Sequence, residues 1–509
     1  MKTNFVLPIF LLVLTGYSRL AQAQSSGTFA PTANMATGRT FHTATLLLDG
    51  RVLIVGGQSG STQIPVFTTE IYDPATQVFT PSGTMMAARS RHTATLLPDG
   101  RVLIVGGDAA GSAEIYNPST GSFTATGSLL MSRHGFNATL LKNGKVLITG
   151  GIARSTESCD VIGDAELFDP STGLFTGAGA YVGTLANLAI NVCGFDSTST
   201  LLPDGKVLFA TEPSAQIYDP VSAAFTPSDT MLVMAPGGGW FAPDYIVGRT
   251  ANLLLNGKVL MAGGEQEDTG RYNSAELFDA SSDVFVPTAS MIRARNGHTA
   301  TLLPDGSVLM AGGESERCDA NNACFYSGIE SSAELYDPVK SSFADAGSML
   351  HPRDGHTATL LKSGEVLLTG GEDWTGVSIY SGPMSSAELY RPAAVSPPPA
   401  LFALTGDGRG QGAIWHAATG EIASPGRPAF AGEILSMYAS GLAESGVIPP
   451  QVSIGGRLGE VLYFGPAPGY PGYYQVNFRV PNGVASGPDV SVRLTYLGRA
   501  SNGVTIALQ

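Results

Sequence analysis

From Gly38 onward, short apolar runs alternate with small polar turns, and the alternation itself recurs along the chain. One copy reads HTATLLPDG from His92 to Gly100, then RVLIVGG to Gly107, AEIYNP from Ala113 to Pro118, and FTATGSL from Phe123 to Leu129. Asp-Gly, Asn-Gly or Ser-Gly turns end at Gly50, Gly100, Gly144, Gly205, Gly257, Gly306 and Gly364, a period near fifty. An Asp-Gly pair between apolar runs predicts a tight hairpin, because glycine accepts positive φ without steric penalty. The third run ends at Asp-Pro or Asn-Pro in most copies, where proline has no N–H to continue a ladder. No copy has helical periodicity. Seven four-strand units at this spacing predict an all-β, seven-bladed β-propeller.

Each copy except the fourth closes its second run on paired glycines, such as Gly56-Gly57 and Gly106-Gly107; the fourth has Ala210-Thr211 there. Aromatic pairs follow, seven residues apart, as in Tyr72/Phe79, Tyr116/Phe123, Tyr218/Phe225 and Tyr336/Phe343. Arg-x-x-His opens four copies, at Arg39/His42, Arg89/His92, Arg295/His298 and Arg353/His356. This set resembles the kelch repeat of the galactose-oxidase-like central domain, with Phe in place of the usual Trp. The seventh copy lacks its fourth run, and the missing element stands at the other end of the chain as Phe29 to Met35, FAPTANM. Residues 27–35 are therefore expected to complete blade seven, within a propeller spanning 24–392. Pairing the two ends removes two open sheet edges.

After a Pro-rich linker at 393–400, residues 401–509 lose the repeat and alternate short strand-like runs with Gly/Pro turns, which predicts a small antiparallel β-sandwich. The stretch Pro471 to Pro481 (PGYYQVNFRVP), with Ser501 to Ile506 (SNGVTI), resembles an immunoglobulin-like C-terminal domain of the acidobacterial secreted-protein type.

Composition narrows the function classes. Gly and Pro make up nearly a fifth of 509 residues, yet 43% of the chain is hydrophobic, so a folded, turn-rich protein is expected rather than a disordered one. A net charge of −14 argues against nucleic acid as a partner. Residues 1–23 carry a basic start, an apolar run from Phe5 to Leu14 and Ala21-Gln22-Ala23, which reads as a signal peptide too short to span a bilayer. The protein is expected to be secreted, periplasmic or at the cell surface, without a membrane span, and monomeric. In that setting the four cysteines are expected to pair as Cys159–Cys193 and Cys318–Cys324.

Strand direction separates two faces of the ring. One carries the short uniform Asp-Gly and Asp-Pro turns; the other carries long variable loops, where binding residues usually reside. Trp240, Phe241, Tyr245, Tyr326 and Trp374 fall in those loops and could stack on a glycan or anchor a protein partner. His42, His92, His298 and His356 occupy equivalent repeat positions and read as structural, not as metal ligands. The glutamate before each aromatic (Glu70 and its equivalents) reads as an inter-blade ion-pair partner. The architecture also resembles galactose oxidase and related copper-radical oxidases, which would imply copper held by Tyr and His. No Tyr here is followed by His, and His416 is the one histidine of the C-terminal domain. The sequence therefore points to no catalytic residues, no metal and no cofactor. It points to a non-catalytic binding protein that presents a glycan or protein ligand site on its loop face; the copper oxidase is the alternative.

Overall fold

The computed structural model describes residues 27–154, 159–181, 197–211, 214–231, 233–234, 240–241, 247–266, 270–318, 324–373, 382–393, 397–443 and 446–509. Seven antiparallel sheets each run in strand order from the axis outward. Blade one is Thr43–Leu46, Val52–Val55, Thr69–Asp73 and Val78–Pro81. Its burial explains its sequence. The second strand is buried at every position because neighbouring blades cover both its faces, so it reads VLIV without alternation. The fourth strand lies at the rim and stays partly exposed.

Each first strand packs against the first strands of the two neighbouring blades, and the last of these contacts returns to blade one, so the ring is closed. Seven hydrophobic clusters fill the seven gaps between blades. The gap between blades seven and one, for example, holds Leu361, Leu367 and Leu389 against Val52, Ile54 and Tyr72.

The N-terminal strand Thr28–Pro31 is the fourth strand of blade seven, antiparallel to Ala387–Arg391, with Phe29 opposite Tyr390. Their rings lie 5.0 Å apart, and Tyr72 and Phe79 of blade one repeat the arrangement at 4.7 Å. Met35 follows into the gap core, as Met85 does one blade later.

Residues from Ala400 onward form two facing halves over one core, in which Leu435, Val476 and Phe478 meet Val452, Val492 and Ile506. The ten-residue strand Arg457–Pro466 pairs with Tyr474–Arg479 in one half and with Gln451–Ile454 in the other, so the sandwich is a single curled sheet. This domain sits on the turn face of the propeller. Leu458 N–H donates to the Pro98 carbonyl at 2.6 Å, and Val447 N–H to Leu255 at 3.0 Å. Gln451, Ser453 and Thr495 share a cleft with Leu46, Leu48 and Lys362. The loop face of the ring is thereby left as the face that the C-terminal domain does not cover.

Candidate functional site

The segment that opens each blade is fastened by charge. Arg39, fully buried, donates to the Gly56 and Thr68 carbonyls at 2.9 Å and to Glu70 at 2.9 Å. Glu70 in turn accepts the Ala36 and Thr37 N–H groups. The same arrangement recurs at Arg89–Glu114, Arg133–Glu166, Arg295–Glu334 and Arg353–Glu388. These pairs join arginine and glutamate of one repeat, not of two blades as the sequence suggests. What the glutamate secures across blades is the incoming connection.

The repeated histidines do link blades. His92 Nε2 shares a 3.0 Å hydrogen bond with the Thr43 hydroxyl of the preceding blade, and His298 and His356 do the same with Thr250 and Thr299. His42 reaches Thr369 at 2.9 Å across the seam. Burial, with a neighbouring arginine adding to it, lowers His92, His298 and His356 to about 3, and His42 also lies well below its ordinary value. They are neutral at any physiological pH. The paired glycines make room for these segments. A Cβ on Gly56 would lie 2.6 Å from the Arg89 carbonyl of the next blade, and one on Gly57 would lie 2.7 Å from Thr40.

Around the loop-face end of the axis, residues in left-handed conformation pass a backbone hydrogen bond from blade to blade. Phe41 N–H donates to Gly355, Arg91 to Phe41, and Gly135 to Arg91. Blades three, six and seven have glycine here, at φ 61° to 62°. Blades one and two instead hold Phe41 and Arg91 at φ 53° and 51°, where a side chain costs roughly 1–2 kcal/mol. The exposed Arg91 guanidinium lies 3.6 Å from the Phe41 ring centroid.

Across the rim stand carboxylates. Asp354 crowds Gly297, and its carboxyl is raised to about 7 by burial and then by Glu314 and Glu372; the Gly355 N–H and Arg91 oppose the shift only in part. Glu372 accepts from Gln63 at 2.9 Å. Glu314 pairs with buried Arg271, which also lies 3.3 Å from Glu265 and from Asn296 Oδ1. An aromatic ring, an exposed guanidinium and a carboxyl that exchanges its proton near pH 7 thus meet at one mouth, with both donors and acceptors for a polar ligand.

Of the residues singled out from sequence, Trp240 and Phe241 form a short strand paired with Val233–Met234 between blades four and five. Tyr326 lies in the blade-six hairpin, opposite Glu316. Tyr245, Trp374 and Cys193 lie outside the described residues, as does the leader at 1–23. Cys318 and Cys324 stand directly opposite each other in that hairpin, and Cys159 pairs in register with Arg154. Sequence reasoning did not single out Phe41, Arg91, Asp354, Glu314 or Glu372. The available signal was a departure from the repeat, Phe and Arg where blades three, five, six and seven have Gly.

Among the described residues, no cluster of histidines, cysteines and carboxylates stands where a copper ion could be held. The repeat histidines are committed to threonines. Both ring nitrogens of His416 are engaged, with Glu433 at 2.5 Å and the Arg427 carbonyl at 3.0 Å.

A family model for the kelch motif matches residues 39–86. Comparison with curated proteins gives no match. Among solved structures, one described as a novel fungal alcohol oxidase with catalytic diversity among the AA5 family, in complex with copper, aligns at a TM-score of 0.59 and 16% identity. The alignment covers 95% of this chain and 100% of that one. At that identity the likeness is one of fold.

Proposed function

Taking the chain as a seven-bladed kelch-repeat propeller with a C-terminal β-domain, we propose that it is an exported binding protein whose loop face captures a glycan or protein partner without turning it over. The observation that carries this reading is the axial rim. Two blades keep a strained Phe and Arg, stacked on each other beside Asp354, where blades three, five, six and seven have the unstrained glycine. Strain retained against an easy alternative is expected where the side chains have a task. The C-terminal domain occupies the opposite face and leaves the rim uncovered by that domain. Export rests on the N-terminal leader sequence, and the opposed Cys318 and Cys324 favour a hairpin disulfide in an oxidising compartment. The oxidase alternative has the fold in its favour and lacks a ligand set among the described residues.

The test is binding of the full chain to a glycan array and to a panel of exported proteins, repeated with Arg91→Gly and Phe41→Gly. Both variants are expected to melt no lower than wild type, because strain is relieved, and to bind at least about tenfold more weakly. Unaltered binding in both would overturn the axial reading. Hydrogen peroxide produced from alcohols by the copper-loaded protein would favour the oxidase instead.

A further inference from the structure

The half of the C-terminal sheet that faces away from the propeller carries an unusual outer surface. Strands Ile414–His416, Ile434–Ser440, Tyr474–Arg479 and Arg457–Pro466 lie side by side there. Their alternate residues enter the core, as Leu435, Met437, Val476 and Phe478 do. The residues between them lie on the outer side of the sheet, where Trp415, Gln475 and Asn477 are partly exposed and Ser436 is covered by its neighbours. The register aligns them in one row across the four strands: Trp415, Ser436, Asn477 and Tyr463. Trp415 and Tyr463 end that row, three strand spacings or roughly 14 Å apart.

The interior of the row is neutral and hydrogen-bonding. Ser436 Oγ donates to Asn477 Oδ1 at 2.7 Å, and Gln475 Nε2 donates to the same oxygen at 2.9 Å. Tyr438 stacks edge-on against Trp415 at 4.8 Å, and Tyr470 lies 5.6 Å beyond it. Tyr463 and Tyr470 are 46% and 56% exposed. Arg479 and Glu460 pair at 3.0 Å, and at the Trp415 end Arg427 pairs at 3.0 Å with Glu421, the neighbour of Ile422 that bridges Trp415. In a chain of net charge −14, this face presents aromatic rings and amides with no net charge.

We propose that this distal face is a second binding site, and that its ligand is a neutral polysaccharide. Aromatic rings accept the apolar C–H faces of sugar rings, while amide and hydroxyl groups pair with their hydroxyls. The absence of net charge selects against uronic-acid or sulfated chains. The site is separate from the propeller rim, since the other half of the same domain makes the contact with the ring.

The test is affinity electrophoresis of the full chain in gels containing mixed-linkage β-glucan, xylan or galactomannan, with polygalacturonate as the charged comparison, plus depletion onto insoluble cellulose and chitin. At least one neutral polymer is expected to bind, and to bind equally at about 0.05 and 0.5 M salt, because no ionic contact is involved. Tyr463→Ala, on an exposed position, and Trp415→Ala are each expected to weaken binding about tenfold. Thermal melting accompanies each variant, and Asn477→Ala replaces Trp415→Ala if the latter unfolds. Failure to bind any neutral polymer, preference for polygalacturonate, or binding that survives Tyr463→Ala together with Asn477→Ala would overturn the proposal.

Discussion

Arg39 shows how much one buried side chain can be asked to hold: two carbonyls, a threonine hydroxyl and the Glu70 carboxylate. Removing the carboxylate charge leaves the guanidinium uncompensated in a site without solvent. Glu70→Gln is expected to cost about 3–5 kcal/mol, read from urea unfolding midpoints. The histidines act through pH. Their native values near 3 lie below the ordinary 6.5, so the unfolded chain binds protons that the native one refuses. Stability is full above about pH 6.5 and falls with acid, by about 1.4 kcal/mol per pH unit for each histidine. His92→Gln, which can keep the bond to Thr43, should make the decline between pH 6 and 4 shallower by that amount; an identical slope would contradict it. Asp354 has the opposite sign. Its native value of about 7 lies above the ordinary 3.8, so the wild type loses stability as pH rises from about 4 to 7. Asp354→Asn is expected to gain on the wild type in melting temperature across that range, and the gap should stop growing above pH 8.

At the scale of the element, the N-terminal strand has the clearest consequence. Phe29 packs on Tyr390 and Met35 enters the gap between blades seven and one, so the N-terminal strand belongs to the last blade. Phe29→Ala and Met35→Ala should each destabilise by roughly 2–5 kcal/mol, with calorimetry as the check. This element was readable because the repeat supplied a template: FAPTANM at 29–35 shares Phe, Pro and Met at the same spacing with FTPSGTM at 79–85. The axial rim was not readable in the same way. Asp354, Glu314 and Glu372 become neighbours only when blades six and seven meet, and that juxtaposition has no signature in any one repeat. The outward row of the C-terminal domain was hidden for a related reason. Alternation marks Tyr474–Arg479 as a strand, but which strand lies beside it depends on the register.

At the scale of the whole molecule, the propeller lies between two differently built surfaces. The loop face bears a charged, partly strained mouth, while the far side of the C-terminal domain bears neutral aromatic residues. No helix among the described residues is long and apolar enough to cross a membrane. The even turns of the other face serve as a platform for the C-terminal domain through Pro98 and Leu255. Uniform turns and variable loops were distinguishable in the sequence, and with them the face on which to look for a site. The proposed ligand chemistries rest on side chains that only ring closure and sheet register bring together.

That closure also sets an order of events. Thr28 pairs with Arg391, so the strand synthesised first must wait for the blade synthesised last. Blades one to six can form behind it as they emerge, since each is a local meander, but the ring stays open until nearly 400 residues are available. During that interval the outer edge of blade seven and the waiting N-terminal strand are complementary and both unpaired. Two chains caught at that stage can exchange strands and yield an interlocked dimer that contains every native contact, so the yield of monomer on refolding is expected to fall as protein concentration rises.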